Sequence, residues 1–313
     1  MKQRDVAREL GLAVASVAVL VHWLDPKPAA LATALVVAAA AAGTGQLIGE
    51  SRPWRMPLVP MVLPALAAFS IAGISRLVDP MPWLPVVFFA GWAVVAWVVR
   101  LETSPEAIES RQPAAAAPGS LAAGAASAQP PTVRLRPKRR AEFDLPIIVA
   151  EPVVVNTPEL PPPARPLAVR SAAFGLAFLA FVASGALVPD GLAIDRAPIS
   201  ALHLAELVIL NGAIAGAVGY RIASLKSPHR FDRIVRVVAV GQYAVPVAAA
   251  TFVLRTMALP RLFIPALLVL LVYAATNVRE SPEPVPQNPS LLQELAVLGL
   301  AAAAAVAWGW LIR

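Results

Sequence analysis

The chain has 313 residues, of which 58% are hydrophobic and only 14% charged, with a formal net charge of +7 and a mean hydropathy of +0.69. Globular domains run about 45–50% apolar and about 25% charged, so this balance excludes an ordinary soluble domain, a disordered chain and a nucleic-acid binder. What it implies is an all-α, polytopic integral membrane helix bundle.

A spanning helix needs about 20 mostly apolar residues. In chain order the first stretch to approach that is Val6–Leu24, whose Arg8 and Glu9 lie in its first turn and can snorkel to the interface. A signal peptide cleaved near Ala30-Leu31-Ala32 is the competing reading of this region. Asp25 and Lys27 just upstream, and an apolar run beginning on the same residues, favour a retained helix. The second, third and fourth stretches are Ala29–Gly49, Pro57–Leu77 and Pro82–Val99.

Residues 101–167 break the pattern. They carry 13 of the 32 prolines, the small-residue tract Ala114–Ala128 and the basic cluster Arg134, Arg136, Lys138, Arg139 and Arg140. Such a segment cannot bury a core and is expected to be disordered or extended. Five spans are expected beyond it: Ala168–Val188, Ile199–Tyr220, Val235–Leu254, Leu259–Val278 and Leu291–Ile312. The domain plan is therefore a four-helix unit (1–100), a basic linker (101–167), a second four-helix unit (168–279), and a loop with a ninth span (280–313).

Cytoplasmic loops are enriched in Lys and Arg. With the N-terminus inside, only Lys27, Arg76, Arg196, Arg255, Arg261 and Arg313 fall outside, so the linker is cytoplasmic and the C-terminus external. This also accounts for the net charge without a nucleic-acid partner. The expected partners are the bilayer, with anionic headgroups meeting the basic cluster, and a membrane-protein partner or a second copy of the chain. Arginine outnumbers lysine 22 to 4 and alanine tracts abound, as in high-GC coding sequence, which points to a bacterial cytoplasmic membrane.

The two four-helix units show internal similarity. Pro80-Met-Pro-Trp83-Leu84-Pro85 parallels Pro260-Arg-Leu-Phe263-Ile264-Pro265, and Val62-Leu63-Pro64-Ala65 parallels Ala244-Val245-Pro246-Val247. Arg100-Leu101-Glu102 likewise parallels Arg279-Glu280, at an offset of about 180 residues. Four spans per copy predict a parallel repeat. Gly45 and Gly49 in span 2, and Gly212 and Gly216 in span 6, form Gly-x-x-x-Gly pairs that let helices approach closely. Pro64, Pro246 and Pro265 are expected to loosen their helices.

Ionisable groups within spans are functional candidates by default. His203 and Glu206 share a helix face near the outer end of span 6, and Asn211 lies deeper. His22 and Asp25 fall at the same outer level, an arrangement that permits a metal, proton-linked or headgroup site, or haem held between facing helices. Against this, His22 beside Trp23 reads as an interfacial anchor, His203 and Glu206 as a mutual pair, and Asn211 as a packing hydrogen bond. Glu294 starts span 9, and Gln242 and Tyr243 are the other polar groups in span 7.

The chain has no cysteine, which removes thiolate chemistry and Cys-held metals. It carries no P-loop, HExxH or GxSxG motif. No cofactor is expected. The leading functional expectation is a non-catalytic membrane assembly or scaffold protein. A carrier with a path past Asn211, Gln242 and Tyr243 is one alternative. The other is an intramembrane enzyme on lipid or isoprenoid, with Glu206 or His203 as acid or base.

Overall fold

The computed structural model describes residues 3–48, 58–78, 81–104, 164–189, 199–226, 233–256, 263–281 and 288–311. The chain divides into two compact units, Met1–Arg111 with Arg165–Arg313, and Gln112–Ala164. All that follows concerns the first. The basic cluster Arg134, Arg136, Lys138, Arg139 and Arg140 lies outside the described residues, as does Gly49.

Among the described residues the fold is all helix, in nine α-helices: α1 (Gln3–Leu20), α2 (Pro26–Ile48), α3 (Val62–Ser75), α4 (Leu84–Thr103), α5 (Ala164–Leu187), α6 (Ala201–Lys226), α7 (Arg233–Thr256), α8 (Phe263–Glu280) and α9 (Pro289–Leu311). Single 3-10 turns, Val21–Trp23, Val59–Met61 and Met81–Trp83, close α1 and lead into α3 and α4. Seven helices are long and apolar enough to cross a membrane. Large apolar side chains such as Leu31, Leu35, Phe89, Ile209, Val245 and Leu300 face outward. In water such a surface would drive aggregation, and in lipid it is the expected exterior. The chain is built as a multi-pass membrane protein.

The local chemistry explains where helices start. Pro85 in α4 and Pro265 in α8 sit in the first turn, where the missing N–H costs nothing and the fixed φ suits the helix. Pro64 does the same in α3. The sequence expectation that Pro64 and Pro265 loosen a helix interior is therefore corrected, and only Pro246 lies inside its helix. Ser200 precedes α6 and its Oγ accepts the His203 N–H at 3.2 Å, while Asn288 Oδ1 accepts the Leu291 N–H at 3.1 Å at the start of α9. Both are N-caps.

The third span differs from expectation. Pro57–Leu77 was long enough to cross, but α3 has 14 residues, about 21 Å against a hydrocarbon layer of about 30 Å. Nearly all of it is buried: Leu63, Leu66, Ala67, Ala68, Ser70, Ile71, Ala72, Gly73 and Ser75 are enclosed, and its contacts run to α1, α2, α4 and α6. It is the central strut of the bundle and meets protein rather than lipid.

Each half closes on itself. In the first, α1 packs along α4 and α2 along α3, with the Trp92 Nε1–H donating to the Arg8 carbonyl at 3.1 Å. In the second, α6 lies along α7, and α5 reaches α8 through an edge-on contact of Phe174 with Tyr273. Where the halves meet, Gly73 of α3 faces Ala183 of α5 with no room for a side chain between them.

Candidate functional site

The most deeply buried charges among the described residues are two that sequence reasoning placed in loops. Glu102 is the penultimate residue of α4, beyond the expected end of span 4, and Arg221 lies five residues before the end of α6. Arg221 Nε donates to Glu102 Oε1 at 2.8 Å and Nη2 donates to Oε2 at 3.0 Å, a two-point fork that fits guanidinium to carboxylate. The side chains are 2% and 0% exposed. Arg221 Nη1 also donates to Ser224 Oγ at 3.2 Å. Desolvating either charge alone costs several kcal/mol. Glu102 moreover sits at a helix C-terminus, where the backbone dipole disfavours an anion. The guanidinium is what makes the carboxylate tolerable there.

A second polar cluster lies within the second half. Asn211, 2% exposed, accepts from Ser184 Oγ at 2.6 Å and donates through Nδ2 to Thr251 Oγ1 at 3.3 Å. It joins α5, α6 and α7. Thr251 donates onward to the Val247 carbonyl. Asn211 thus has both ends of its amide occupied by neighbouring helices. Gln242 is exposed whereas Tyr243 is buried, packed against Gly219. The three residues of the expected carrier path therefore do not share one surface.

The histidines go to separate tasks. The His22 Nδ1–H donates to the Ser75 carbonyl at 2.7 Å, and its ring meets Trp23 edge-on. Arg76 Nη1 donates to the Leu24 carbonyl at 2.8 Å, and Ser75 Oγ reaches the Ala18 carbonyl of α1 at 3.3 Å. This set ties the end of α1 to the end of α3 in the first half. His203 is half-buried and Glu206 exposed on the first turns of α6. Among the described residues, no group of three or more His, Asp or Glu is placed to hold a metal ion.

The glycines divide by neighbour. Gly212 faces Ala248 Cβ and the Ala244 carbonyl, and Gly216 faces Val240 and Ala244, so both line the contact of α6 with α7. Gly45 is buried in α2. Gly219, which follows Gly212 and Gly216 in span 6 and shares their expected packing role, meets the Tyr243 ring, whereas the equally tight site of Gly73 against Ala183 was not singled out from sequence.

At the end of the bundle that carries Glu102, α5, α8 and α9 are laced together. Arg170 Nη2 donates to Glu280 Oε1 at 2.7 Å, a partly exposed pair of small energetic worth. Glu294 Oε1 accepts from Tyr273 Oη at 2.7 Å and from Asn277 Nδ2 at 2.8 Å. A polar cleft of about 320 Å³, lined by Tyr273, Asn277, Ser281, Asn288 and Glu294 among others, opens beside it. Glu294 is therefore the polar attachment of α9 to α8.

No protein-family model, no curated protein and no solved structure matches the chain. Its function has to be argued from these contacts alone.

Proposed function

We propose that the chain is a non-catalytic assembly or scaffold protein, or an auxiliary subunit, of a bacterial inner membrane. Its helix bundle holds the basic segment 101–167 at the cytoplasmic face. The observation that carries this reading is the use made of Asn211. The amide nearest mid-helix, which a carrier or enzyme would present to substrate, is spent on Ser184 and Thr251. Glu102 is likewise committed to Arg221. In this reading the buried polar groups supply rigidity and register, and recognition belongs to the exterior and to the linker. There Arg134, Arg136, Lys138, Arg139 and Arg140 each add about 1 kcal/mol of attraction to anionic lipid, and the adjoining chain takes a membrane-protein partner or a second copy.

The test is the native size of the tagged protein extracted in mild detergent from its own membranes, compared across three forms. The full chain is expected in an assembly larger than one copy. Deletion of residues 130–142 is expected to release it, and His203→Ala with Glu206→Ala to leave it intact. A wild-type chain that runs as a single copy, or an assembly that needs His203 and Glu206 but not the basic segment, overturns the proposal.

A further inference from the structure

The side-chain hydrogen bonds described above sort by half. Those of His22, Ser75, Arg76 and Trp92 stay within α1–α4. Those of Ser184, Asn211, Arg170 and Glu294 stay within α5–α9. The fork between Glu102 and Arg221 crosses from one half to the other. So does the apolar contact toward the other end of the bundle, where Gly73 of α3 meets Ala183 of α5, and α3 also touches α6. Each half has its own internal polar ties, and among the described residues the contact between the halves holds the close approach of Gly73 to Ala183 and the charged fork of Glu102 with Arg221.

We infer that this surface is a recognition interface in its own right. The partner that fits the α3–α4 face is the α5–α6 face of the same chain, docked non-covalently, and the segment between them is not what holds them together. Small residues without protrusions give close contact but little choice of register. The ion pair supplies the choice. A slip of one helical turn, about 5.4 Å, parts the buried guanidinium from the buried carboxylate and breaks both arms of the fork, which is costly for charges held out of water. Replacing both charges by apolar groups of similar volume removes that penalty, whereas replacing one leaves the other stranded. This argument stands apart from the proposed function, since it needs neither a partner protein nor an orientation.

The experiment uses the full chain with a protease site inserted after Ala126. The purified protein is cut in detergent micelles, and the two fragments are followed by size-exclusion chromatography on dilution. In the wild-type background the fragments are expected to stay together after cutting. With Glu102→Gln, which leaves the Arg221 guanidinium buried without a counter-charge, the fragments should separate at protein concentrations at least about a hundredfold higher than wild type requires. The double variant Glu102→Leu with Arg221→Met should recover association to within about tenfold of wild type. Separation of the wild-type fragments on cutting overturns the inference of non-covalent docking. Wild-type behaviour of the Gln variant, or a double variant no better than the single one, overturns the role of the charge pair. Helical circular dichroism of the uncut variants distinguishes loss of docking from loss of folding.

Discussion

Gly73→Ala is the sharpest probe of how the halves meet. A β-carbon built on Gly73 lies 2.6 Å from Ala183 Cα and 2.8 Å from the Ala183 carbonyl oxygen. Comfortable carbon contacts fall at about 3.5–4.0 Å, so α3 and α5 must part by about 1 Å. The obstructing atoms are backbone within a helix and cannot swing away as a side-chain tip can. Overpacking of this kind costs typically 1–3 kcal/mol, and the rigidity of the neighbour places this case near 3. For a chain of this size that is a fall of roughly 6–12 °C in the unfolding midpoint, read by circular dichroism of the detergent-solubilised protein. Two controls bracket it. Gly216→Ala meets a methyl of Val240 rather than backbone; that valine is stiff in its helix, so the variant should cost about 1–2 kcal/mol, less than Gly73→Ala. Gly175→Ala has nothing within 4 Å and should be neutral or gain from the better helix propensity of alanine. Equal midpoints for Gly73→Ala and Gly175→Ala would refute the close approach of α3 to α5.

Asn211→Leu should change stability by no more than about 1–2 kcal/mol. Thr251 keeps its bond to the Val247 carbonyl and Ser184 its bond to Phe181, and bonds between membrane helices average about 0.6 kcal/mol; a collapse of the fold in thermal melts would contradict the satisfied network. Glu294→Ala removes the acceptor of both Tyr273 and Asn277 at a cost of about 1–3 kcal/mol, so amide exchange over 291–299 should quicken at least tenfold, while Glu294→Gln keeps a carbonyl acceptor and most of the protection. Unchanged exchange in the alanine variant would show that α9 is held by other contacts. Replacing Arg134, Arg136, Lys138, Arg139 and Arg140 by alanine should remove the salt-sensitive part of binding to anionic vesicles, about 1 kcal/mol for each charge. Binding that is equally strong to neutral vesicles, with or without the five charges, would argue against that role.

Composition and apolar runs were enough to give a membrane bundle, because hydrocarbon demands continuous helices whatever the tertiary detail. The shortness of α3 escaped notice because its apolar run continues into turns at both ends, and hydropathy does not distinguish a residue facing lipid from one facing another helix. Gly212 and Gly216 could be picked out by their spacing. So could Gly219, three residues further along the same face, but Gly73 could not, since a lone glycine carries no spacing and its partner, Ala183, is remote in sequence. The pairing of Glu102 with Arg221 was hidden for a similar reason. Positive-inside counting treats each arginine as a loop charge, and so assigned to solvent a guanidinium that the fold buries. The only hint was that an acid and a base fell at the same end of two apolar helices. Asn211 was read from sequence both as a candidate polar site and as a packing group, and its neighbours Ser184 and Thr251 gave no cue, being small hydroxyls without periodicity.

The points at which the chain leaves and re-enters the bundle have a mechanical consequence. The intervening segment departs just after Glu102, at the end of α4, and the chain returns through α5, whose second turn carries Arg170. One anchorage is tied to α6 by the buried fork to Arg221, the other to α8 only by the partly exposed pair of Arg170 with Glu280. Tension carried into α4 past Thr103 would therefore be resisted chiefly at the fork of Glu102 with Arg221. A pull from the aqueous side would thus be felt at the seam of the bundle itself.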